Sequence, residues 1–329
     1  MPKAKISALG CYAPPRLLTN FDLEKMVKTN HEWIVARTGI IERHIADPGV
    51  ATSDLAVEAA RAALEQRGIS ASELDTILVC TVTPDMIFPS TACLVQDRIG
   101  AKGTWGFDLI AACSSFLYGL TTAAQLVVAG SHQKVLVIGA DTMSRIVDYT
   151  DRSTCILFGD AAGAMLVERE DQEGSGLIDF LNEMDGSGAE FLKMPAGGSR
   201  LPASIETVQQ RQHYIYQDGP QVFKYAVRKM YEVCRDLLER NRLTARDVAA
   251  LIPHQANRRI ITATADRLGL HSDQVVINIE RYGNTTNGSI PLATRDAIEG
   301  GKIKKGDLVL FAAVGAGYTV GASLWRWAY

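Results

Sequence analysis

Short apolar runs alternate along the chain with longer stretches whose apolar residues recur at helical spacing. The run Val135-Leu136-Val137-Ile138, bounded by Lys134 and Gly139, has the length and limits of a buried strand. Stretches rich in Ala, Leu and Glu, such as 53–67, have the pattern of amphipathic helices. The predicted strands are 76–83, 134–139, 162–167, 249–253, 308–313 and 321–325, and the predicted helices are 53–67, 113–129, 222–241, 258–268 and 289–299. Alternating strands and helices predict an α/β architecture with largely parallel sheets covered on both faces.

The order of elements in the first half of the chain returns in the second half. A helix, a short acidic turn and a strand occupy 54–79 and again 231–252. Further matching elements follow in the same order in both halves. A repeat of this length is too long for a solenoid and indicates domain duplication. We therefore predict two homologous halves, 1–170 and 171–329, with an exposed connection near 168–188. The acidic residues of that connection are Glu168, Glu170, Asp171 and Glu173.

Composition and charge narrow the functions open to the chain. Of 329 residues, 47% are hydrophobic and 22% are charged, which is ordinary globular usage and excludes a disordered or fibrous chain. With 34 Lys and Arg against 37 Asp and Glu, the net charge of −3 is too balanced for a nucleic-acid-binding protein. No apolar run approaches the ~20 residues that span a bilayer, and no long apolar segment opens the chain. We expect a cytoplasmic protein without membrane insertion or a nucleic-acid partner.

Six cysteines occur, and no two of them have C-x-x-C spacing. They are Cys11, Cys80, Cys93, Cys113, Cys155 and Cys234. Neither a disulfide scaffold nor a structural zinc site is expected, and most of these cysteines have the surroundings of small buried apolar residues. Cys113 differs because an apolar strand-like run, 108–112, changes to a helix at this residue. A helix start lowers the pKa of a thiol and favours a nucleophile, although on local sequence alone an inert buried cysteine stays open.

Three features in the second half have residue types suited to ligand binding or to stabilising an oxyanion. His254 follows the apolar run 249–252 and stands at the carboxyl end of a strand, where ligand sites of α/β sheets gather. Asn284 lies in a turn of small polar residues, and its amide is able to donate to an oxyanion. The glycine loop 315–317 lets backbone N–H groups approach a reacting carbonyl, and it lacks the G-x-G-x-x-G spacing of dinucleotide sites. A satisfied structural histidine and a helix-capping turn stay open as alternatives.

Together these motifs resemble the β-ketoacyl-acyl carrier protein synthase III family, the condensing enzymes that start type II fatty acid synthesis. The resemblance is carried by Ala112-Cys113-Ser114, His254-Gln255-Ala256-Asn257, Gly283-Asn284-Thr285 and the final glycine loop. Segments 32–40, 151–154 and 158–164 also match family signatures, so nearly the whole chain is covered. The resemblance implies a thiolase-like α/β fold in which two duplicated halves form five layers, αβαβα.

The resemblance also implies a two-step acyltransferase reaction that needs no metal or other cofactor. Cys113 would take the acyl group of an acyl-CoA primer, with acetyl-CoA expected, while the backbone N–H groups of Cys113 and Ala316 hold the oxyanion. His254 and Asn284 would then donate to the thioester carbonyl of malonyl-acyl carrier protein as carbon dioxide leaves. The resulting carbanion would attack the acyl group on Cys113.

Binding residues follow from the resemblance by position. They are Trp33, Arg37, Arg152 and Asn257 for coenzyme A, Lys224 and Arg259 for docking of the acyl carrier protein, and Phe88 for the acyl pocket of a partner subunit. Trp33 and Arg152 would sandwich the adenine, a use that suits a planar guanidinium. Phe88 implies a homodimer. The alternatives are a core aromatic at Trp33 and a solvated helix face at the two cations.

Four departures from the family pattern leave the acyl-group preference and the pathway open. Ser115 stands where glycine usually follows Cys-Ser, Val320 where many members have tryptophan, Pro220 beside the expected Gly219, and Asp266 where some members have lysine. Relatives of the same fold act in secondary metabolism and make quinolones, polyketide starters or esters. A Cys-His-Asn thioester hydrolase and a non-catalytic carrier-binding module are further alternatives, whereas a degradative thiolase would need a second cysteine in the glycine loop.

Overall fold

Two large mixed sheets, two small antiparallel pairs of strands and the helices make up the computed structural model, which describes residues 3–171 and 174–329. The first part of the chain contains β1 (Lys3–Tyr12), β2 (Leu17–Thr19), α1 (Asn20–Glu24), α2 (His31–Thr38), β3 (Glu42–His44), α3 (Thr52–Arg67), β4 (Thr76–Cys80), α4 (Thr91–Ile99), β5 (Trp105–Leu109), α5 (Ser115–Val128), β6 (Lys134–Asp141), α6 (Arg152–Cys155) and β7 (Ala161–Glu170). The second part contains β8 (Gly176–Met184), β9 (Leu192–Lys193), α7 (Ile205–Gln209), β10 (Tyr216–Gln217), α8 (Gly219–Arg240), β11 (Ala250–Pro253), α9 (Arg258–Leu268), α10 (Ile279–Tyr282), α11 (Ser289–Glu299), β12 (Leu308–Gly315) and β13 (Thr319–Arg326). Each strand and helix predicted from the sequence is present, with ends that agree to within about three residues.

The two main sheets share a strand order. It is β1-β7-β6-β4-β5 in the larger sheet and β8-β13-β12-β11 in the smaller one. Where β5 lies against β4, the smaller sheet has only an isolated parallel bridge between Leu251 and Val275. This correspondence supports a duplication, and the boundary between 1–170 and 171–329 stays a prediction.

The expectation of largely parallel sheets is wrong. β4 is parallel to β5 and β6, and β11 is parallel to β12. However, β7 is antiparallel to both β1 and β6, and β13 is antiparallel to both β8 and β12. A tight turn joins β12 to β13, and strands joined by so short a turn pair antiparallel because a parallel pair needs a long crossover.

Five layers alternate through the molecule. α3 and α4 cover the outer face of the larger sheet, and α8 and α9 cover the outer face of the smaller sheet. Between the sheets lie α5 and α11, whose buried residues, including Leu117, Leu120, Ile290 and Ala293, share one apolar core with strands of both sheets. α5 is apolar around most of its circumference, as a helix packed on both sides must be. This layer brings the starts of α5 and α11 to the middle of the molecule.

The connection between the two sheets is shorter than predicted. Much of the stretch expected to be exposed is β8, which pairs with β13 along its length. Glu168 and Glu170 lie on β7, with side chains only 8% and 9% exposed, and each is paired with a cation: Arg67 Nε lies 2.6 Å from Glu168, and a lysine of β1 lies 3.2 Å from Glu170. The prediction of an exposed connection at these residues is therefore wrong. Acidic side chains are able to lie buried on a strand when they are paired with cations. Glu173 lies outside the described residues.

The described residues bear on the expectations about membranes and metals. Among these residues no helix is both long and apolar enough to cross a membrane. Residues 3–171 and 174–329 contain no group of three or more His, Cys, Asp or Glu side chains that could hold a metal ion. All six cysteines are free thiols. Met1 and Pro2, which belong to the N-terminal segment discussed above, lie outside the described residues.

Candidate active site

Cys113 lies in the turn between β5 and α5, where the chain enters the central helix layer. Ala112 before it has a φ of 49°, a left-handed conformation that costs a residue with a side chain about 1–2 kcal/mol. Thr319 of β13 holds this turn: its Oγ1 donates to the Ala111 carbonyl at 2.7 Å, and its carbonyl accepts from Ser114 Oγ at 3.1 Å. A strand from the end of the chain therefore fixes the position of Cys113.

One cavity of about 540 Å³ collects the residues singled out for chemistry. Cys113, His254, Asn284 and Ala316 all line it. Much of its wall is apolar, including Val82, Met143, Ile146, Leu157, Phe158, Ile215, Val222, Phe223 and Val314. Such a wall limits the access of water to a bound ligand and leaves a few polar groups to orient it.

His254 follows β11 and is buried, with its backbone N–H donating to the Ala312 carbonyl of β12 at 2.7 Å. The Nδ1 atom lies 2.7 Å from Ser289 Oγ at the start of α11. The Nε2 atom is buried and has no hydrogen-bond partner among the described residues. Burial lowers the pKa of the imidazole to about 4, so the ring is neutral at pH 7. A fully satisfied structural histidine, the alternative left open by the sequence, is therefore excluded.

Asn284 is held by backbone and side chain alike. Its N–H donates to the Leu157 carbonyl at 2.8 Å, and its carbonyl accepts from the Gly159 N–H at 3.0 Å. The side-chain Oδ1 accepts from the Thr286 N–H at 3.0 Å. Because Oδ1 is occupied by this bond, Nδ2 is the end of the carboxamide left to donate toward a ligand in the cavity. The N-cap of α11 is Gly288, which has no side chain to cap with, so the turn orients an amide donor rather than capping that helix.

The glycine loop leaves space beside the backbone of Cys113. A Cβ atom added at Gly315 would lie 2.6 Å from the Cys113 nitrogen, a contact that a side chain could not make without displacing the backbone. The next residue, Ala316, lines the cavity. Its N–H and that of Cys113 both lower the pKa of the Cys113 thiol, so both act on that sulfur. Two backbone donors therefore converge where the sequence predicted an oxyanion hole.

The thiol of Cys113 is less acidic than its place at a helix start led us to expect. Part of the residue faces the cavity, yet burial raises the pKa of the thiol to about 12, and the Asp141 carboxylate acts in the same direction. Hydrogen bonds from the Cys113 and Ala316 N–H groups lower the pKa but do not outweigh burial. The expected lowering is therefore wrong, because removal from water disfavours the thiolate more than the backbone dipoles favour it.

Asp141 and Asn287 are residues of this region that sequence reasoning missed. Asp141 ends β6 and is fully buried, and its carboxylate accepts from the Asn287 N–H at 3.1 Å and from Asn287 Nδ2 at 2.9 Å. Asn287 Oδ1 accepts in turn from the Phe116 N–H in the first turn of α5 at 3.1 Å. Burial raises the pKa of Asp141 to about 6. The contact joins residues 146 positions apart, so no local pattern could have found it.

The four candidate coenzyme A residues lie near one another. The Arg152 guanidinium is 4.8 Å from the centroid of the Trp33 ring, and that of Arg37 is 5.7 Å from it. Asn257 Nδ2 donates to the Arg37 carbonyl at 3.1 Å, and its Oδ1 accepts from the Arg259 N–H at 2.9 Å. Trp33, Arg37 and Asn257 line the cavity. Trp33 is half-buried and covered by cations, so it is not a residue of the central core.

The remaining candidates lie at different places. Arg259 lines the cavity, with its guanidinium 5.0 Å from the Phe223 ring centroid, and the neighbouring Lys224 on α8 is exposed. Phe88 is 83% exposed and does not line the cavity of its own chain. The structure therefore brings Arg259 to the cavity and leaves Lys224 and Phe88 on the surface.

Of the four departures from the family pattern, only Pro220 borders the cavity, together with Gly219. Val320 is fully buried in the core beneath α8 and α9. Ser115 is fully buried as well, and Asp266 is exposed on α9. Ser115 and Val320 therefore do not contact a ligand in the cavity directly, and any effect they have on acyl groups is indirect.

Comparison with known proteins agrees with this geometry. The family described as 3-Oxoacyl-[acyl-carrier-protein (ACP)] synthase III matches residues 107–186, and its C-terminal domain matches residues 238–327. The beta-ketoacyl-[acyl-carrier-protein] synthase III of Solibacter usitatus (strain Ellin6076) is 73% identical over 100% of both chains, and that of Koribacter versatilis (strain Ellin345) is 58% identical over 99% of this chain and 98% of its own. The crystal structure of 3-oxoacyl-[acyl-carrier-protein] synthase III from Aquifex aeolicus VF5 has a TM-score of 0.91 at 45% identity, over 98% of this chain and 100% of that one. The predicted thiolase-like fold is confirmed, and the chain belongs to the β-ketoacyl-acyl carrier protein synthase III family.

Proposed function

We propose that this chain, an acyltransferase by its family, condenses an acyl-CoA primer with malonyl-acyl carrier protein and so starts fatty acid synthesis, with acetyl-CoA as the expected primer. The shared cavity carries the proposal. A thiol at Cys113, an unpartnered imidazole nitrogen at His254 and a donating carboxamide at Asn284 all line it. These are the groups that acyl transfer followed by decarboxylation requires.

In the first step Cys113 Sγ bonds to the acyl carbonyl carbon, and the bond from that carbon to the sulfur of CoA breaks. The thiol proton leaves with CoA as its free thiol. Because burial keeps the Cys113 thiol protonated, its deprotonation accompanies the attack. The N–H groups of Cys113 and Ala316 stabilise the tetrahedral oxyanion, since donors held in place before the reaction need no reorganisation.

In the second step the malonyl carboxylate leaves as carbon dioxide, and its electron pair moves into an enolate of the carrier-bound thioester. His254 Nε2–H and Asn284 Nδ2–H donate to the enolate oxygen. The enolate carbon then attacks the acyl carbon on Cys113, the carbon–sulfur bond to Cys113 breaks, and the β-ketoacyl-carrier product forms. The Cys113 thiolate takes up a proton and is ready for another primer.

His254 donates from Nε2 only in the tautomer that carries its proton there. The neutral imidazole has one N–H, so Nδ1 must then act as an acceptor. Ser289 Oγ lies 2.7 Å from Nδ1 and 2.9 Å from the Thr286 carbonyl. Donation of the Ser289 hydroxyl hydrogen to Nδ1 rather than to that carbonyl selects the tautomer that the reaction needs.

The proposal assigns coenzyme A to the cluster of Trp33, Arg37, Arg152 and Asn257. The Arg152 guanidinium moves away from the Trp33 ring, and the adenine stacks in the space between the two side chains. Arg37 pairs with the phosphates. Both ends of the Asn257 carboxamide are engaged within the protein, so its contribution is mainly to position Arg37 and the start of α9. Lys224 and Arg259 dock the acidic carrier protein.

A cytoplasmic homodimer, formed across β5, completes the proposal. β5 is an edge strand of the larger sheet, and Trp105, Phe107 and Ile110 on and beside it are 49%, 36% and 70% exposed. Unpaired edges and clustered exposed apolar side chains favour association. Phe88 would reach the acyl pocket of the partner. Sedimentation of the wild type as a dimer, and of Ile110→Lys as a monomer, is the expected result; a monomeric wild type would contradict it.

The test of the function is intact-mass spectrometry of the protein incubated with acetyl-CoA and longer acyl-CoAs, first alone and then with malonyl-acyl carrier protein. We expect acylation of the wild type, none of Cys113→Ser, and a β-ketoacyl-carrier product. Release of free acid without chain extension would support a hydrolase. A wild type that is never acylated would support a binding module, and a preference for unusual primers would indicate secondary metabolism.

A further inference from the structure

We propose that Ser115 is a positioning residue of the oxyanion hole, whose hydroxyl fixes the peptide unit between Ala112 and Cys113 so that the Cys113 N–H faces the acyl carbonyl oxygen. The inference rests on the proposed function, because it assumes that Cys113 becomes acylated. Ser115 is fully buried and does not line the cavity, so it acts on the substrate only through the backbone.

The Ser115 hydroxyl is engaged on both sides of the turn. Its Oγ accepts from the Ala111 N–H at 2.7 Å and donates to the Ala112 carbonyl at 2.7 Å. The backbone N–H of Ser115 donates to the same Ala112 carbonyl. Two donors therefore use the two lone pairs of this oxygen, and one of them, the Ser115 hydroxyl, is itself fully buried.

The Ala112 carbonyl and the Cys113 N–H belong to one planar trans peptide unit, in which the two groups point in opposite directions. Fixing the carbonyl therefore fixes the direction of the N–H. Ala112 needs this support because its φ of 49° lies in a region that alanine seldom occupies. Such conformations persist only where the surrounding contacts determine them. The Ser115 hydroxyl bridges the peptide unit of residues 110–111 and that of residues 112–113, which lie on either side of the 111–112 unit.

The direction of this N–H matters because the opposite wall of the hole is already shaped around it. Gly315 leaves open the space within 2.6 Å of the Cys113 nitrogen that a Cβ would fill. Rotation of the peptide would turn the N–H away from that space and present the carbonyl oxygen instead. A glycine at position 115, which the family resemblance leads one to expect, keeps the backbone donor but lacks the hydroxyl. The second donor is therefore a feature of this chain.

The experiment compares Ser115→Ala and Ser115→Gly with the wild type. Thr122→Val is the matched control, because Thr122 Oγ1 also donates to a carbonyl of α5, that of Tyr118 at 2.7 Å, without touching the nucleophile turn. The single-turnover rate of acylation by acetyl-CoA is measured over a range of concentrations. Isotope-edited infrared spectra of the acetyl-enzyme made with carbonyl-¹³C acetyl-CoA then report the hydrogen bonds to the acyl oxygen. Circular dichroism and urea unfolding verify that each variant folds.

We expect both Ser115 variants to lower the maximal acylation rate about tenfold, less than the 10²–10³ lost with a whole oxyanion donor, since the Ser115 N–H remains. The acetyl-CoA concentration that gives half the maximal rate should change less than about twofold. The carbonyl band should move to higher frequency or broaden. Thr122→Val should match the wild type in all three measurements.

The inference is overturned if the variants acylate at the wild-type rate with an unchanged band, or if only half-saturation changes. A measurement on the wild type keeps the inference testable if both variants fail to fold. The inference is overturned if the carbonyl band of the wild-type acetyl-enzyme lies at no lower frequency than that of a thioester in aprotic solvent. A wild type that forms no acetyl-enzyme contradicts the proposed function itself, which is a separate outcome.

Discussion

At the scale of single residues, the site is marked by polar groups that the protein leaves without internal partners. Most buried polar atoms in proteins are hydrogen-bonded, and one that is not lowers stability. His254 Nε2 is buried without a partner among the described residues. The Oδ1 atom of Asn284 accepts a hydrogen bond within the protein, and its Nδ2 atom is left to donate to a ligand. Both residues line the cavity with Cys113. The protein thus keeps two polar groups available for a ligand rather than for its own fold.

The first prediction separates the two half-reactions. His254→Ala and Asn284→Ala should each lower decarboxylation of malonyl-acyl carrier protein by about 10²–10³, because each removes one donor to the enolate. Acylation of Cys113 should stay close to the wild-type rate. Carbon dioxide release and intact mass measure the two steps, and His271→Ala, at an exposed histidine, is the control. Loss of acylation with intact decarboxylation would contradict this division of roles.

The second prediction concerns the acid side of the stability profile. Burial lowers the pKa of His254 from 6.5 to about 4, so between these values the unfolded chain binds a proton that the native protein does not. Stability should therefore fall as pH decreases from about 6.5 to about 4, by roughly 3 kcal/mol from this residue. Urea unfolding should show that His254→Gln flattens this part of the profile and that His271→Gln does not. Parallel wild-type and His254→Gln profiles would disprove the assignment.

At the scale of elements, sequence patterns found the strands that lie wholly in the core and missed those that border solvent. β4, β6 and β12 are continuous apolar runs buried along nearly their whole length, and their positions were predicted. β5 and β8 were missed because their side chains are mostly half-exposed, so they lack such runs. The antiparallel pairing of β7 and β13 with their neighbours was missed too, since pairing direction depends on connections rather than on local composition.

The candidate site shows the same limit. Cys113, His254 and Asn284 stand where a local pattern changes, which made them candidates, and the family resemblance then implied their catalytic roles. Their supporting groups, such as Ser289 for His254, lie far away in the chain. Thr319 supports the turn of Cys113 from more than 200 positions away. Residues that act through contacts of this range carry no local signal, and only the folded chain identifies them.

The third prediction tests the glycine loop as an element shaped for the oxyanion. In Gly315→Ala the new Cβ would lie 2.6 Å from the Cys113 nitrogen and obstruct its N–H, so acylation should fall by about 10²–10³. Gly198→Ala is the control, because a Cβ there meets no atom within 4 Å. Stopped-flow measurement of CoA release gives the rate. A Gly315→Ala protein that folds and acylates normally would exclude this N–H as the donor.

At the scale of the whole molecule, the five layers explain why the site lies at the junction of the two sheets. The central helices α5 and α11 begin there. The glycine loop that joins β12 to β13 of the smaller sheet lies at the same place. Cations at the cavity, Arg37 and Arg259, come from opposite parts of the chain. Because the net charge is only −3, their local field is not offset by a strongly charged surface elsewhere.

The last prediction follows from that local field. Lys224 and Arg259 lie on the neighbouring helices α8 and α9, and exposed Asp266 on α9 reduces the positive potential they produce. Asp266→Lys should therefore lower the KM for malonyl-acyl carrier protein severalfold at low salt, and Lys224→Glu should raise it, with no change in the KM for acyl-CoA. Both effects should shrink as ionic strength rises toward 1 M, where the screening length falls to about 3 Å. Asp97→Lys on α4, in the opposite outer layer, introduces the same charge and should have no effect. Equal responses to Asp97→Lys and Asp266→Lys would mean that net charge, and not a docking surface on α8 and α9, governs carrier binding.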